Sequence, residues 1–264
     1  MSALRAAFSP WRLTDEEGLW IPGEGVKRDA ELGAEVSGGR GGLVRLWRSD
    51  RSLVVTRREA RLPRFVEAKE AFDAEGWPVV VRDSGGTTVP HFPGALQVSL
   101  LLPRSRSEGL GVENVYHLLC EPVKSALHAL GLETGYGEVA GSFCDGRFNL
   151  VHAGRKVAGT AQRWKGAGPG SHRNEGYILS HMVLFVEGDL VGATKAVNRF
   201  LELAGGRGGF ELDAQETVDR ALRRGHPPQA GGDADARPLM DRVRLSLRAA
   251  LERDLGLPGT TTDG

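Results

Sequence analysis

The stretch from Gly141 to Trp164, GSFCDGRFNLVHAGRKVAGTAQRW, decides the fold and raises the functional question together. Ala153-Gly154 reads as a two-residue hairpin loop between two strand-like runs. With that loop, His152 faces Arg155, Val151 faces Lys156, Leu150 faces Val157 and Asn149 faces Ala158. Side chains alternate along a strand, so Leu150 and Val157 share a core face. Lys156 then shares the other face with Ala158 and Thr160, small residues that leave room above the sheet for a ligand. Cys144 sits just ahead of the first strand, between Phe143 and a turn at Asp145-Gly146. A thiol in a glycine-flanked turn is more exposed than one in a helix, and a nearby lysine favours the nucleophilic thiolate. A solvated lysine and an incidental thiol are the competing reading.

Upstream, LVRLWR (Leu43 to Arg48) and SLVVTRR (Ser52 to Arg58) look like a strand pair. A helix follows with Phe65, Val66, Ala68 and Phe72 at helical spacing and Gly76 as its stop. PVVVR (Pro78 to Arg82) has the pattern of a buried strand, and GALQVSLLLP (Gly94 to Pro103) is another strand. GVENVYHLLCEPVKSALHALGL is a long amphipathic helix carrying Cys120 as a buried structural thiol, with Pro122 a point of weakness. Downstream come a β-like run, Gly176 to Asp189, a helix ending at Gly205 and a short helix within residues 206–226. Residues 227–238 have linker composition, and a terminal helix carries Met240, Val243, Leu245, Leu247 and Leu251 near one stripe, before a frayed tail. Residues 1–42 are mixed, and their glycine-rich end, Ser37 to Gly42, reads as an exposed loop. Strands and helices interleave irregularly, which predicts an α/β or α+β domain with a mixed sheet. The expected division is a domain over 1–226, a linker over 227–238 and a helix and tail over 239–264.

The bulk numbers narrow the function classes. Lys plus Arg equals Asp plus Glu, so no global basic field draws nucleic acid or a membrane surface. Two cysteines are too few for a disulfide scaffold. The N-terminus has no apolar signal region and no window spans a membrane, which predicts a cytoplasmic, reduced protein. Phosphate-loop and metal-ligand signatures are missing, so no metal is expected. His172 and His181 are too isolated to argue as ligands, and His181 reads as a hydrogen-bonded strand residue.

A second stretch, VVVRDSGGTTVPHFPG (Val79 to Gly94), delivers Arg82 to a turn containing Gly85 and Gly86. The glycines let backbone pass close to a ligand, and Arg82 with free N–H groups is suited to an anionic or carbonyl group. Ser84, Thr87, Thr88 and His91 surround the turn. Taken alone it is equally a hairpin turn with a satisfied histidine.

Together the two stretches resemble the biotin/lipoate protein ligase superfamily, in its lipoate branch. The resemblance covers roughly residues 40–205: an arginine strand and glycine-rich turn, then the GRKVAG hairpin with Lys156, then GYILSHMVLFVEGDL. SFCDG is similar to the cysteine segment of the octanoyl amidotransferases, and VRDSGG is closer to those enzymes than to ATP-dependent ligases. The resemblance implies a mixed, largely antiparallel sheet flanked by helices, like class II aminoacyl-tRNA synthetases. It implies Cys144 as nucleophile and Lys156 as its electrostatic partner. Arg82, Ser84, Gly85, Gly86, Thr87, His91, Gly154, Ala158, Gly159 and Thr160 are the implied substrate-binding positions. The implied reaction moves an octanoyl or lipoyl group through a Cys144 thioester to the lysine of a lipoyl domain and requires no cofactor. Implied partners are the glycine-cleavage carrier protein, the E2 of 2-oxoacid dehydrogenases and acyl carrier protein. The alternatives are a ligase using ATP and Mg through lipoyl-adenylate, and a non-catalytic binder of lipoyl domains. Departures from the pattern are Thr87 after the glycine pair, Pro90 before His91, and the insert Lys165 to Gly176, which is suited to a lid.

Overall fold

The computed structural model describes residues 2–39, 41–106, 109–166, 175–225 and 237–257. The expected lid centre, with His172, most of the linker and the tail lie outside the described residues.

Seven strands form the main sheet. They are β1 (Arg12–Asp15), β2 (Leu43–Trp47), β6 (Ala95–Pro103), β7 (Gly135–Gly137), β8 (Asn149–His152), β9 (Arg155–Gly166) and β10 (Gly176–Phe185). Their order is β1-β2-β6-β10-β9-β8-β7, parallel only between β1 and β2. A small sheet of β3 (Ser52–Thr56), β4 (Val79–Arg82) and β5 (Val89–His91) has the order β4-β3-β5. The two runs expected to pair, β2 and β3, are both strands but belong to different sheets. β4 is an edge strand with Val81 at the surface, not a buried one.

Alternation along β6 explains the layering. Leu96, Val98, Leu100 and Leu102 point to one face, Ala95, Gln97, Ser99 and Leu101 to the other. The first face is covered by α4 (Val112–Ala129) and α7 (Leu239–Leu255). α4 continues through Pro122. Met240, Val243, Leu247 and Leu251 of α7 are buried in this core, so the terminal helix packs on the sheet, while Leu245 is exposed. The second face lies under α2 (Glu24–Ser37), the small sheet, α3 (Phe65–Ala74) and α5 (Leu190–Ala204). Ala68 and Phe72 of α3 are buried and Val66 is exposed. The N-terminal region, read as mixed sequence, also holds α1 (Ser2–Ala7). The short α6 (Val218–Gly225) closes the described part of the 206–226 region. No helix among the described residues is long and apolar enough to cross a membrane.

Candidate active site

The hairpin has the expected loop, with Ala153 and Gly154 both at positive φ. His152 pairs with Arg155 and Val151 with Lys156. Beyond that the expected register fails. A bulge between Leu150 and Val151 pairs Leu150 with Ala158, so Val157 and Ala158 both enter the apolar core. Ala158 and Thr160 therefore lie on the face opposite Lys156. It is Gly159 that makes room: a Cβ there would sit 2.9 Å from Lys156 Cε and Nζ. Gly154 is at the exposed tip of the turn, away from the lysine.

Lys156 is 1% exposed. Its ammonium donates to the carbonyl of Phe143 and, at 3.2 Å, to the carbonyl of Cys144. Burial pulls its pKa down from 10.5 to about 8, against the attraction of Cys144 and Asp145 and with added repulsion from Arg82. The lysine thus holds the cysteine loop by its main chain and keeps a positive charge beside the sulfur.

The glycine-rich turn meets that loop from the other sheet. Arg82, buried at the end of β4, donates through Nη2 to Gly85 O at 3.0 Å and Thr87 O at 2.9 Å, closing its own turn. Its guanidinium also reaches the Cys144 side chain, while burial lowers its pKa and the charges of Cys144 and Glu59 oppose that. Arg82 Nε is buried without a partner. Gly86 has φ 105, and a Cβ there would lie 1.9 Å from Cys144 Sγ. Only glycine lets the sulfur rest against this turn. Thr87 Oγ1 accepts from Cys144 N at 2.8 Å. Gly85 is exposed with open space about it. Glu59, buried after β3, accepts from Thr88 N at 2.9 Å and from Thr56, which ties the turn to the small sheet.

A cavity of about 260 Å³ opens beside this junction, over the second face of the main sheet. Val54, Val80, Trp47 and Leu179 are among its walls. Arg82 and Ser84 belong both to the cavity and to the turn against which the sulfur rests. Ser84 Oγ and His181 Nε2 share a hydrogen bond of 2.7 Å. His91 meets the Trp47 ring edge-on at 5.8 Å. Burial and the Arg82 charge pull both imidazoles down to about 3, so they line the cavity as neutral rings. At its back, Arg45 is buried between Glu16 at 2.7 Å and Asp29 at 2.8 Å, and burial raises the Asp29 carboxyl to about 6. Among the described residues no three His, Cys, Asp or Glu side chains group as metal ligands.

Three residues that sequence reading did not single out hold this arrangement. Asn149 donates to Cys144 O at 3.0 Å and accepts from Thr160 N. Gln215 accepts from Phe143 N at 3.2 Å, out of a segment that runs parallel to Lys156. Glu59 sets the turn. Asn149 had a local signal, a polar residue opening an apolar strand. Gln215 had none, because its partner is distant in sequence; Glu59 had the local Thr56-x-x-Glu59 spacing, but its bond to Thr88 joins distant segments.

Residues 22–206 match the lipoyl protein ligase A/B catalytic domain. The chain belongs to that family. Over 201 residues it is 46% identical to an octanoyl-[GcvH]:protein N-octanoyltransferase of Kyrpidia tusciae, covering 75% of this chain and 69% of that protein. Among solved structures, a lipoate-protein ligase A bound with ATP superposes with a TM-score of 0.63 at 18% identity, covering 93% of this chain and 85% of that one. A bipartite lipoate protein ligase from Thermoplasma acidophilum, solved in a study with its E2 lipoyl domain, gives 0.59 at 18% identity, covering 95% and 85%. The family shares with this chain a mixed α/β fold built on a large, mostly antiparallel sheet flanked by helices. The sequence resemblance to the lipoate branch is therefore borne out.

Proposed function

We propose that this family member is a cysteine-dependent acyltransferase of protein lipoylation, which takes an octanoyl or lipoyl group from a carrier and passes it to the lysine of a lipoyl domain. The observation that carries the reading is the seating of Cys144 Sγ against Gly86, near the Arg82 guanidinium and the Lys156 ammonium, at a turn whose Arg82 and Ser84 also line a cavity. The identity to an octanoyltransferase supports the transferase over an ATP-dependent ligase.

The chemistry follows from these parts. The Cys144 sulfur attacks the acyl carbonyl of the donor, and the S–C bond forms as the carbonyl oxygen takes the negative charge. Cationic donors stabilise that charge best where water is excluded. Arg82 Nε is buried with a free hydrogen, and we assign it to this oxygen. The donor's amine leaves with the proton that the thiol gave up. The amine of the acceptor lysine then attacks the thioester, forms the amide and returns a proton to the sulfur. The apolar walls of the cavity receive the acyl chain. A lipoyl domain, such as the glycine-cleavage carrier protein or an E2 domain, fits as donor or acceptor because its lysine carries the group on a long exposed arm. The reaction needs no metal or nucleotide.

The test is intact mass spectrometry after mixing the protein with octanoylated carrier protein. The expected result is one octanoyl group on Cys144, discharged when an unmodified lipoyl domain is added. An unmodified Cys144 together with full activity of Cys144→Ser would overturn the reading.

A further inference from the structure

Among the described residues, Cys144 and Ala153 are the two non-glycine residues at positive φ, and Cys144, at 52°, is the one that rests against the glycine-rich turn. A left-handed backbone is disfavoured for a residue with a Cβ, so something must hold it. Three groups do. Thr87 Oγ1 takes the Cys144 N–H, while Lys156 Nζ and Asn149 Nδ2 both donate to the Cys144 carbonyl. Lys156 Nζ is shared with the carbonyl of Phe143, and Thr87 is half-buried at the turn. Asn149 is fully buried and fixed on every side. Its N–H donates to Gly146 O at 3.0 Å, and its Oδ1 accepts from Thr160 N at 3.1 Å. Thr160 Oγ1 in turn donates to Phe148 O at 3.2 Å. β8 begins at Asn149, so the N–H of Thr160 on β9 is taken by this side chain.

We propose that Asn149 is a positioning residue for the nucleophile: with Thr87 it clamps Cys144 in its left-handed backbone and so presents the sulfur over Gly86 beside Arg82. The inference rests on the reading of Cys144 as the acyl carrier. It assigns to Asn149 no contact with substrate, only the geometry of the attacking atom. A misplacement of about 1 Å at a reacting centre costs up to about a hundredfold in rate, so the effect is measurable.

Two readouts test it on the full chain. One is the rate at which iodoacetamide alkylates Cys144, followed by peptide mass so that buried Cys120 does not interfere. The other is kcat and KM for transfer from octanoylated carrier. Asn149→Ala is expected to lower kcat about ten- to a hundredfold with KM unchanged and to change the alkylation rate and its pH profile. Thr87→Val is expected to move the same readouts. The double variant is expected to lose much less than the product of the two losses, because both act on one residue. If Asn149→Ala does not fold, Asn149→Asp keeps the volume and the acceptor for Thr160 N and removes the donor to Cys144. The proposal is overturned if kcat and alkylation stay within about twofold of wild type, if KM rises with kcat unchanged, or if the two losses multiply in full. Failure of octanoyl to load on wild-type Cys144 would remove the transferase reading instead, and the alkylation coupling would still decide the clamp.

Discussion

The two faces of the main sheet are made by the same strands and obey opposite rules. On the α4–α7 face, Leu96, Val98, Leu100, Ile178, Met182 and Leu184 form a continuous apolar layer. On the other face the same strands bury Arg45, Gln97, Ser99 and Lys156 and hold His181 half-buried. Burying such groups costs free energy unless each is paired, and Gln97 is not. Both amide atoms of Gln97 and the Nε of Arg82 have no partner. One face is therefore optimised for stability and the other departs from that optimum around the cavity.

The largest expected effect is at Lys156. Its ammonium is charged below about pH 8 and neutral above. Acyl transfer is expected to fall as pH rises through about 8, and Lys156→Met is expected to lose about a hundredfold or more in kcat at neutral pH. Stability should move the other way. The folded pKa of about 8 lies below the ordinary 10.5, so between these values the unfolded chain holds a proton that the folded chain has released. Stability contributed by this group then rises with pH across that window, by up to about 3 kcal/mol. Denaturant midpoints at pH 7.5 and 9.5 for both proteins check this, and a rise of equal size in Lys156→Met would refute it.

On the apolar face, Leu184→Ala should do the converse. Leu184 is fully buried, with Leu96 and Ala158 as its cross-strand neighbours. The truncation is expected to cost about 2–5 kcal/mol of stability. Specific activity of the folded fraction should stay near wild type. A loss of kcat larger than the loss of folded protein would mean that the two faces are coupled, and the contrast between them would fail.

How much of this was legible in sequence follows from the range of the interactions. The hairpin turn at Ala153-Gly154 and the strands around it were legible, because loop length and alternation are local. The pairing of Leu150 was not, because a bulge adds a residue without changing composition. Hence Ala158 and Thr160 were placed beside the lysine, where Gly159 stands. The contact between Cys144 and Gly86 joins segments almost sixty positions apart, and only family resemblance linked them beforehand. α2 was missed for a related reason. It carries Gly25, where a Cβ would lie 2.1 Å from the Trp47 ring, so a helix-weakening residue is required by packing that sequence does not display. His181 was read as a hydrogen-bonded strand residue, and it is one, but its partner is Ser84 at the cavity.

The smallest expected effect isolates backbone strain from chemistry. Ala153, with φ 46, occupies the same left-handed region as Cys144, but in an exposed turn remote from the sulfur. A type I′ turn favours Asn-Gly, since asparagine tolerates this backbone better than alanine. Ala153→Asn is expected to raise stability by about 0.5–1 kcal/mol with activity unchanged. Cys144→Gly relieves the same kind of strain and is expected to stabilise by a similar amount while abolishing transfer. Thermal melts of the two variants, read beside acyl-transfer rates, separate the cases. If Cys144→Gly destabilises the protein, the left-handed cysteine is held by contacts of its own side chain and not by the clamp on its backbone. If both variants stabilise and only one loses activity, strain at Ala153 is a residue of history in the turn, and strain at Cys144 is retained because it aims the sulfur.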